Sequence, residues 1–258
     1  VELPVNIATS LLYQVYEARI RRSCPLESRP QHVGIILDGN RRWASAARTD
    51  VYQAYLAGGE KLHEVLGWCD DAGIRFVTAW MLSTDNLERP ASELDELAAA
   101  IEHTLRALVA DGRWRIVHIG SSAILPGALA AALKESVEAT RGLDGMVVNV
   151  AVGYGGRDEI VDALREIVSE HVAKGRTLDE IGDRLTVDDI AGKLYTRGQP
   201  DPDLIIRTSG EQRMSGFLLW QAAHSEFYFS DVLWPQFRSV DFWRSLRSYA
   251  SRSRRYGR

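Results

Sequence analysis

The sequence predicts an α/β fold: one domain with a mostly parallel central sheet of about six strands, flanked by helices. Three observations carry this. Short apolar runs with no internal alternation recur along the chain, as expected of strands buried on both faces. Between them stand longer segments with apolar residues at helical spacing. The polar, glycine-bearing stretches fall where strands end, which is where open parallel sheets build their sites.

Taken in order, Ser10 to Arg22 reads as an amphipathic helix. Leu11, Leu12, Val15, Tyr16 and Ile20 fall at helical spacing, and Arg19, Arg21 and Arg22 give polar cover. Docking on the chain's own body is preferred over a membrane-surface contact or a flap above a substrate entrance. Ser23 to Gln31, with Pro25 and Pro30, is a connector, so residues 1–31 precede a catalytic domain over 32–258. Val33 to Leu37 is the first strand. It stops in the turn residues Asp38-Gly39-Asn40, with Arg41 and Arg42 where a helix begins. The small, polar segment after Trp43 and through Asp50 is expected to be irregular. Leu56, Leu62, Val65, Leu66 and Cys69 then mark a helix ending near Gly73.

Arg75 to Leu82 is the second strand. Ser92 with Asp95 three later resembles a capping box, opening a helix with Leu94, Leu97, Ile101, Leu105 and Leu108 on one face. Arg115 to Gly120 and Met146 to Val152 are strands three and four, with a helix from Pro126 to Thr140 between them. Ile160, Val161, Leu164, Ile167 and Val168 mark the next helix, and Thr186 with Asp189 caps a short one. Asp203 to Arg207 and Glu226 to Phe229 are strands five and six. Asp241 to Arg254 closes the chain as a helix.

Composition narrows the functional classes. A chain of 258 residues with 45% hydrophobic and 26% charged residues has ample material for a core. A net charge of −4 argues against non-specific nucleic-acid binding, so any basic site is local. Cys24 and Cys69 alone make neither a disulfide framework nor a zinc pattern, and reducing cytoplasm is the expected compartment. No apolar run reaches the ~18 residues of a membrane span, so membrane association would be peripheral.

Three clusters carry chemistry. Asp38 stands at the carboxyl end of a strand, where a carboxylate can hold a divalent cation. The amides of Gly39, Asn40, Arg41 and Arg42, with the two guanidinium groups, would face the same point and suit a phosphate. Metal ligand, amide cradle and fixed cations within five residues suggest a diphosphate. A haloacid-dehalogenase-like site would need a second aspartate where Asn40 stands. The second cluster, from Arg207 to Ser215, holds Arg213 and a glycine-bearing turn and is another anion candidate. Ser83, Asn86 and Arg89 make a third. Gly153-Tyr154-Gly155-Gly156 lacks the third glycine of a dinucleotide fingerprint, with Asp158 in its place, and there is no P-loop. Glu226 sits in an apolar, aromatic stretch, where a carboxylate needs a partner: a metal shared with a phosphate, or an arginine.

Several separated stretches in this order resemble the cis-prenyltransferase family, undecaprenyl diphosphate synthase-like: HVGIILDGNRRW at 32–43, LSTDNLERP at 82–90, GYGGR at 153–157, DLIIRTSGEQR at 203–213 and RRYG at 254–257. The resemblance implies a homodimer and a Mg²⁺-dependent condensation of an allylic diphosphate with isopentenyl diphosphate. It implies that Asp38 coordinates Mg²⁺ with Glu226. Gly39, Asn40, Arg41, Arg42 and Arg89 would hold the allylic diphosphate, and Arg207, Arg213 and Ser215 the isopentenyl diphosphate. Ser83 and Asn86 would sit near the reacting atoms, with Trp43 covering them. Arg255 and Gly257 would reach across the dimer interface, and Met81 would plug the tunnel that takes the growing chain.

The chain departs from long-chain members, which carry Arg, His, Glu and Trp where it has Val51, Tyr55, Asp85 and Leu87. The expected product is therefore a short, fifteen-carbon-class prenyl diphosphate of the short-chain Z-isoprenyl branch. The rivals are head-to-middle condensation with dimethylallyl diphosphate to a lavandulyl-type product, long-chain synthesis, and a non-catalytic partner subunit.

Overall fold

The computed structural model describes residues 7–252 and, among them, the side chains of 13–177 and 179–252. Arg255, Gly257, Leu11 and Leu12 lie outside these limits. The first helix, α1 (Ile7–Arg22), leads through the connector to β1 (His32–Ile36), α2 (Asn40–Ala47) and α3 (Val51–Asp71). Then come β2 (Phe76–Ser83), α4 (Ala91–Asp111), β3 (Arg115–Ile119), α5 (Gly127–Thr140), β4 (Val147–Tyr154) and α6 (Gly156–Ala173). Two short helices, α7 (Leu178–Arg184) and α8 (Val187–Ala191), precede β5 (Leu204–Arg207), β6 (Glu226–Phe229) and α9 (Ser239–Ser251).

The six strands form one sheet in the order β3-β4-β2-β1-β5-β6, and every pairing is parallel. The chain first builds to one side of β1 and returns to the other with β5. The crevice beyond the carboxyl ends of β1 and β5 is therefore the switch point where such sheets bind ligands. The apolar runs do alternate, but between two cores. Val33, Ile35, Leu204, Ile206, Val148 and Val150 face one core, which is shared with α3, α4, α5 and α9. Ile36, Ile205 and Ala151 face a second, built with Phe217, Leu218 and Ala222. Phe217 lies over Gly34, where a Cβ would stand 3.0 Å from its ring.

Three expectations are corrected. The segment after Trp43 is not irregular: the alanines at 44, 46 and 47 carry α2 onward, and Arg48 stops it in the left-handed region (φ 55°). Asp50 then caps α3, accepting from the Gln53 amide at 2.7 Å. Ser92 caps nothing, because Pro90 holds the N-cap position and Ser92 falls inside the first turn of α4. On α1, Ile20 is buried but Val15 is 63% exposed, so that stripe is only partly covered. The helix docks on α9 by polar contacts: Ser239 donates to Glu17 at 2.6 Å, and the Arg21 guanidinium lies 4.7 Å from the Trp243 ring centre. The α7 helix was not foreseen, although Thr177 and Glu180 form the reciprocal cap that marks such a start.

Candidate active site

Asp38 leaves β1 at the switch point. Its backbone is pinned by Thr208, whose hydroxyl donates to the Asp38 carbonyl at 2.7 Å, and by the Trp234 amide, which donates to the same oxygen at 3.1 Å. Gly39 follows with φ 112° as the N-cap of α2, and a Cβ there would stand 3.1 Å from the Leu233 Cα. Only glycine meets both conditions. Trp43 is the first residue of α2 whose amide finds a helical acceptor, at Gly39. The amides of Asn40, Arg41 and Arg42 lie ahead of it in the first turn, where a helix leaves its donors open to an anion.

Arg207, at the end of β5, is buried, and its guanidinium donates to Asp38 Oδ2 at 2.8 Å and to the Ser215 hydroxyl at 2.8 Å. Arg42 stands 3.7 Å from the other Asp38 oxygen. Burial alone would raise the Asp38 pKa. The Arg207 hydrogen bond and the Arg207 and Arg42 charges more than reverse this, and the carboxyl titrates below the usual range. Asp38 is therefore a carboxylate at neutral pH, still partly open to the cleft.

These groups line one cavity of about 340 Å³. Of the residues expected from the sequence, it brings together Asp38, Gly39, Asn40, Arg41, Arg42, Met81, Ser83, Asn86, Arg89, Arg207 and Ser215. Ser83 and Asn86 also cap each other: the Ser83 amide donates to Asn86 Oδ1 at 3.3 Å, and the Asn86 amide to Ser83 Oγ at 3.1 Å. Register shifts at Trp80, Leu82 and Ser83 break the alternation of β2, so Trp80, Met81 and Ser83 all reach the cavity. A second cavity of about 40 Å³ lies behind the first, between α3 and α4.

Three expected residues lie elsewhere. Trp43 lines a surface depression with Lys61, Pro235 and Arg238 rather than the cavity, because it is turned by about 100° around α2 from Arg42. The Arg213 side chain is mostly exposed and paired with Glu211, and only its carbonyl enters the site, accepting from Arg207. Glu226 begins β6, opposite Leu204, whereas Asp38 follows β1 at the carboxyl end of the sheet. Within one chain the two carboxylates cannot share a metal, and Glu226 is paired with Arg252. Among the described residues no group of three or more His, Cys, Asp or Glu could hold a metal. A cleft carboxylate such as Asp38 suits a hard cation that takes its other ligands from phosphate oxygens and water.

Sequence reasoning missed Glu93 and the place of Tyr55. The Tyr55 hydroxyl donates to Glu93 at 2.9 Å and accepts from Arg89 at 2.9 Å, while Glu93 also stands 3.2 Å from Arg89 and 3.5 Å from Arg41. Burial, with Glu93 beside it, pushes the Tyr55 pKa up to about 12. The four-residue spacing of Arg89 and Glu93 in and before α4 was the available signal.

Comparison with known proteins finds relatives along nearly the whole chain. The family model described as putative undecaprenyl diphosphate synthase matches residues 36–257. A (2Z,6E)-farnesyl diphosphate synthase of Thermobifida fusca is 55% identical over 247 residues, covering 95% of this chain and 97% of its own. A short-chain Z-isoprenyl diphosphate synthase of Mycobacterium bovis is 47% identical, covering 96% of each chain. Among solved structures, lavandulyl diphosphate synthase from Lavandula x intermedia, in complex with dimethylallyl diphosphate, aligns with a TM-score of 0.84 at 33% identity, over 90% of this chain and 100% of that one. Described residues include no helix long and apolar enough to cross a membrane. Matches of this length and identity lead to one conclusion: the chain belongs to the undecaprenyl diphosphate synthase family of prenyltransferases.

Proposed function

We propose that the chain condenses a five- or ten-carbon allylic diphosphate with isopentenyl diphosphate, giving a prenyl diphosphate of about fifteen carbons. The observation that carries this is the joining of an anion cradle, at Asp38, Arg42 and Arg207, to a cavity that Met81 and Leu97 line on its apolar side. In the reaction the allylic C–O bond breaks and the leaving diphosphate takes the electron pair. The double bond of isopentenyl diphosphate supplies the pair for the new C–C bond, and a proton is then lost to a diphosphate oxygen. No side chain lining the cavity is a strong base.

The first-turn amides of α2, with Arg41, Arg42 and Arg89, hold the allylic diphosphate. Arg207 and Ser215 hold the second diphosphate, with Arg213 available if its pairing with Glu211 is released. Asp38 is the group that would hold Mg²⁺, which supplies charge stabilisation to the departing diphosphate. Ser83 and Asn86 orient the reacting carbons, while apolar walls keep water away. Met81 limits chain growth. Residues 32–258 form the catalytic domain of a cytoplasmic homodimer, in which Arg255 and Gly257 complete the partner's site. Any membrane contact is peripheral, and no nucleic acid is bound.

The test is product chromatography after incubation with Mg²⁺, radiolabelled isopentenyl diphosphate and each of the five-, ten- and fifteen-carbon allylic diphosphates. Labelled product of about fifteen carbons from the shorter acceptors is expected, and no labelled product from any acceptor would overturn the reading. The likeness to lavandulyl diphosphate synthase favours a second reading, head-to-middle joining of two dimethylallyl units. A branched product from dimethylallyl diphosphate alone would establish it.

A further inference from the structure

Tyr55 takes part in two features at once. The large cavity and the small one behind it share five wall residues: Leu37, Asn40, Tyr55, Met81 and Leu97. These five are the partition between them. Beyond it the small cavity is bounded by Gly58, Gly59, Ala100, Ile101 and Thr104, and at about 40 Å³ it has room for a water molecule or two. Opening the partition would extend the apolar space rather than create it.

Of the five, Tyr55 is the one whose side chain is tied to a diphosphate-binding arginine. Its hydroxyl accepts from Arg89 and donates to Glu93, each at 2.9 Å. Two charge-assisted hydrogen bonds fix the side chain where it lines both cavities. Leu37, Met81 and Leu97 have apolar side chains and no such tie. Asn40 turns its amide inward, donating to the Leu37 carbonyl at 3.3 Å. Moving the Tyr55 ring aside would break both bonds and leave Arg89 held by Glu93 alone, at 3.2 Å.

We propose that Tyr55 is a specificity-determining residue whose ring closes the product chamber and whose hydroxyl positions Arg89 for the allylic diphosphate. Chain length and allylic binding are then set by one side chain, because the group that orients the diphosphate end also bars the passage at the hydrocarbon end. This rests on the prenyl transfer proposed above.

The experiment compares wild type, Tyr55→Leu, Tyr55→Phe and Met81→Ala, each checked for a native melting transition, with a ten-carbon allylic diphosphate and radiolabelled isopentenyl diphosphate. Tyr55→Leu removes the ring and is expected to lengthen the product by one or two five-carbon units. Tyr55→Phe keeps the ring and loses the hydroxyl. It is expected to raise KM for the allylic diphosphate about fivefold to tenfold, with KM for isopentenyl diphosphate unchanged. Met81→Ala is expected to lengthen the product with no change in allylic KM. Unchanged product length in folded Tyr55→Leu overturns the proposal, as does loss of turnover there, since the ring would then serve catalysis rather than length. If Tyr55→Leu fails to fold, Tyr55→Phe decides: equal effects on both KM values, or on neither, overturn it. A wild type that makes no product overturns the prenyl-transfer reading itself, an outcome distinct from these.

Discussion

Strand β1 has a polar cluster at each end, and the two differ in kind. At its start, the buried His32 pairs Nδ1 with the Pro200 carbonyl at 2.7 Å and Nε2 with the Thr78 hydroxyl at 2.8 Å. Asn149 donates to the same hydroxyl at 2.9 Å and exchanges hydrogen bonds with Gln199. Thr78 has one proton to give. Nδ1 must donate to the carbonyl, so the hydroxyl donates to Nε2 and accepts from Asn149, which assigns the tautomer. The side chains of this cluster are neutral and paired, with the Asp203 carboxylate beside them accepting from the His32 amide at 3.2 Å. At the far end, Asp38, Arg42 and Arg207 are charged, and the buried Arg207 Nε, a donor, has no hydrogen-bond partner. The loop beside them holds Ser209, Ser215 and Leu218 at positive φ. Buried polar groups are ordinarily satisfied. The closed cluster joins strands, and the open one offers a donor from which an oxyanion can accept.

The largest expected effect separates the two ends by function. Asp38→Ala should lower turnover roughly a thousandfold or more, since a metal ligand is worth several kcal/mol in the transition state. Near-normal turnover at saturating Mg²⁺ would end the assignment. At the other end, Thr78→Val strands both His32 and Asn149 and should cost about 2–4 kcal/mol of stability. Its activity per folded molecule should match wild type, as read by urea unfolding beside a rate assay. A large loss of kcat with unchanged stability would erase the contrast.

A smaller effect comes from pH. Burial lowers the His32 pKa to about 4. The unfolded chain therefore binds a proton below about pH 6.5 that the folded chain refuses until about pH 4. This contribution is fully present above pH 6.5, falls as pH drops between those values, and levels off below. Between pH 7 and pH 5 the loss is about 2 kcal/mol, measured against His32→Gln, which lacks this component. Equal pH profiles for the two proteins would show that His32 is not held neutral.

Much of this was legible in the sequence because strands and turns are local. The Asp38-Gly39-Asn40 stop, the switch-point position of Arg207 and the sixth strand follow from short-range pattern. What failed depends on direction. Glu226 opens β6, whereas Asp38 follows β1, so within one chain it stands at the other end of the sheet from Asp38. Trp43 was misplaced because one helical position turns a side chain by about 100°. Arg213 was assigned by charge, which says nothing of the Glu211 carboxylate two residues away. Tyr55 and Glu93 meet only because α3 and α4 pack side by side, a contact that no local pattern contains.

The most direct test of the open cluster is a calorimetric titration with an unreactive thiolo analogue of dimethylallyl diphosphate. It would be run with and without Mg²⁺, on wild type, Asp38→Ala and Thr78→Val. The expected result is Mg²⁺-dependent binding by wild type and Thr78→Val, weakened at least tenfold in Asp38→Ala. Equal affinity in all three proteins, or binding indifferent to Mg²⁺, would contradict it.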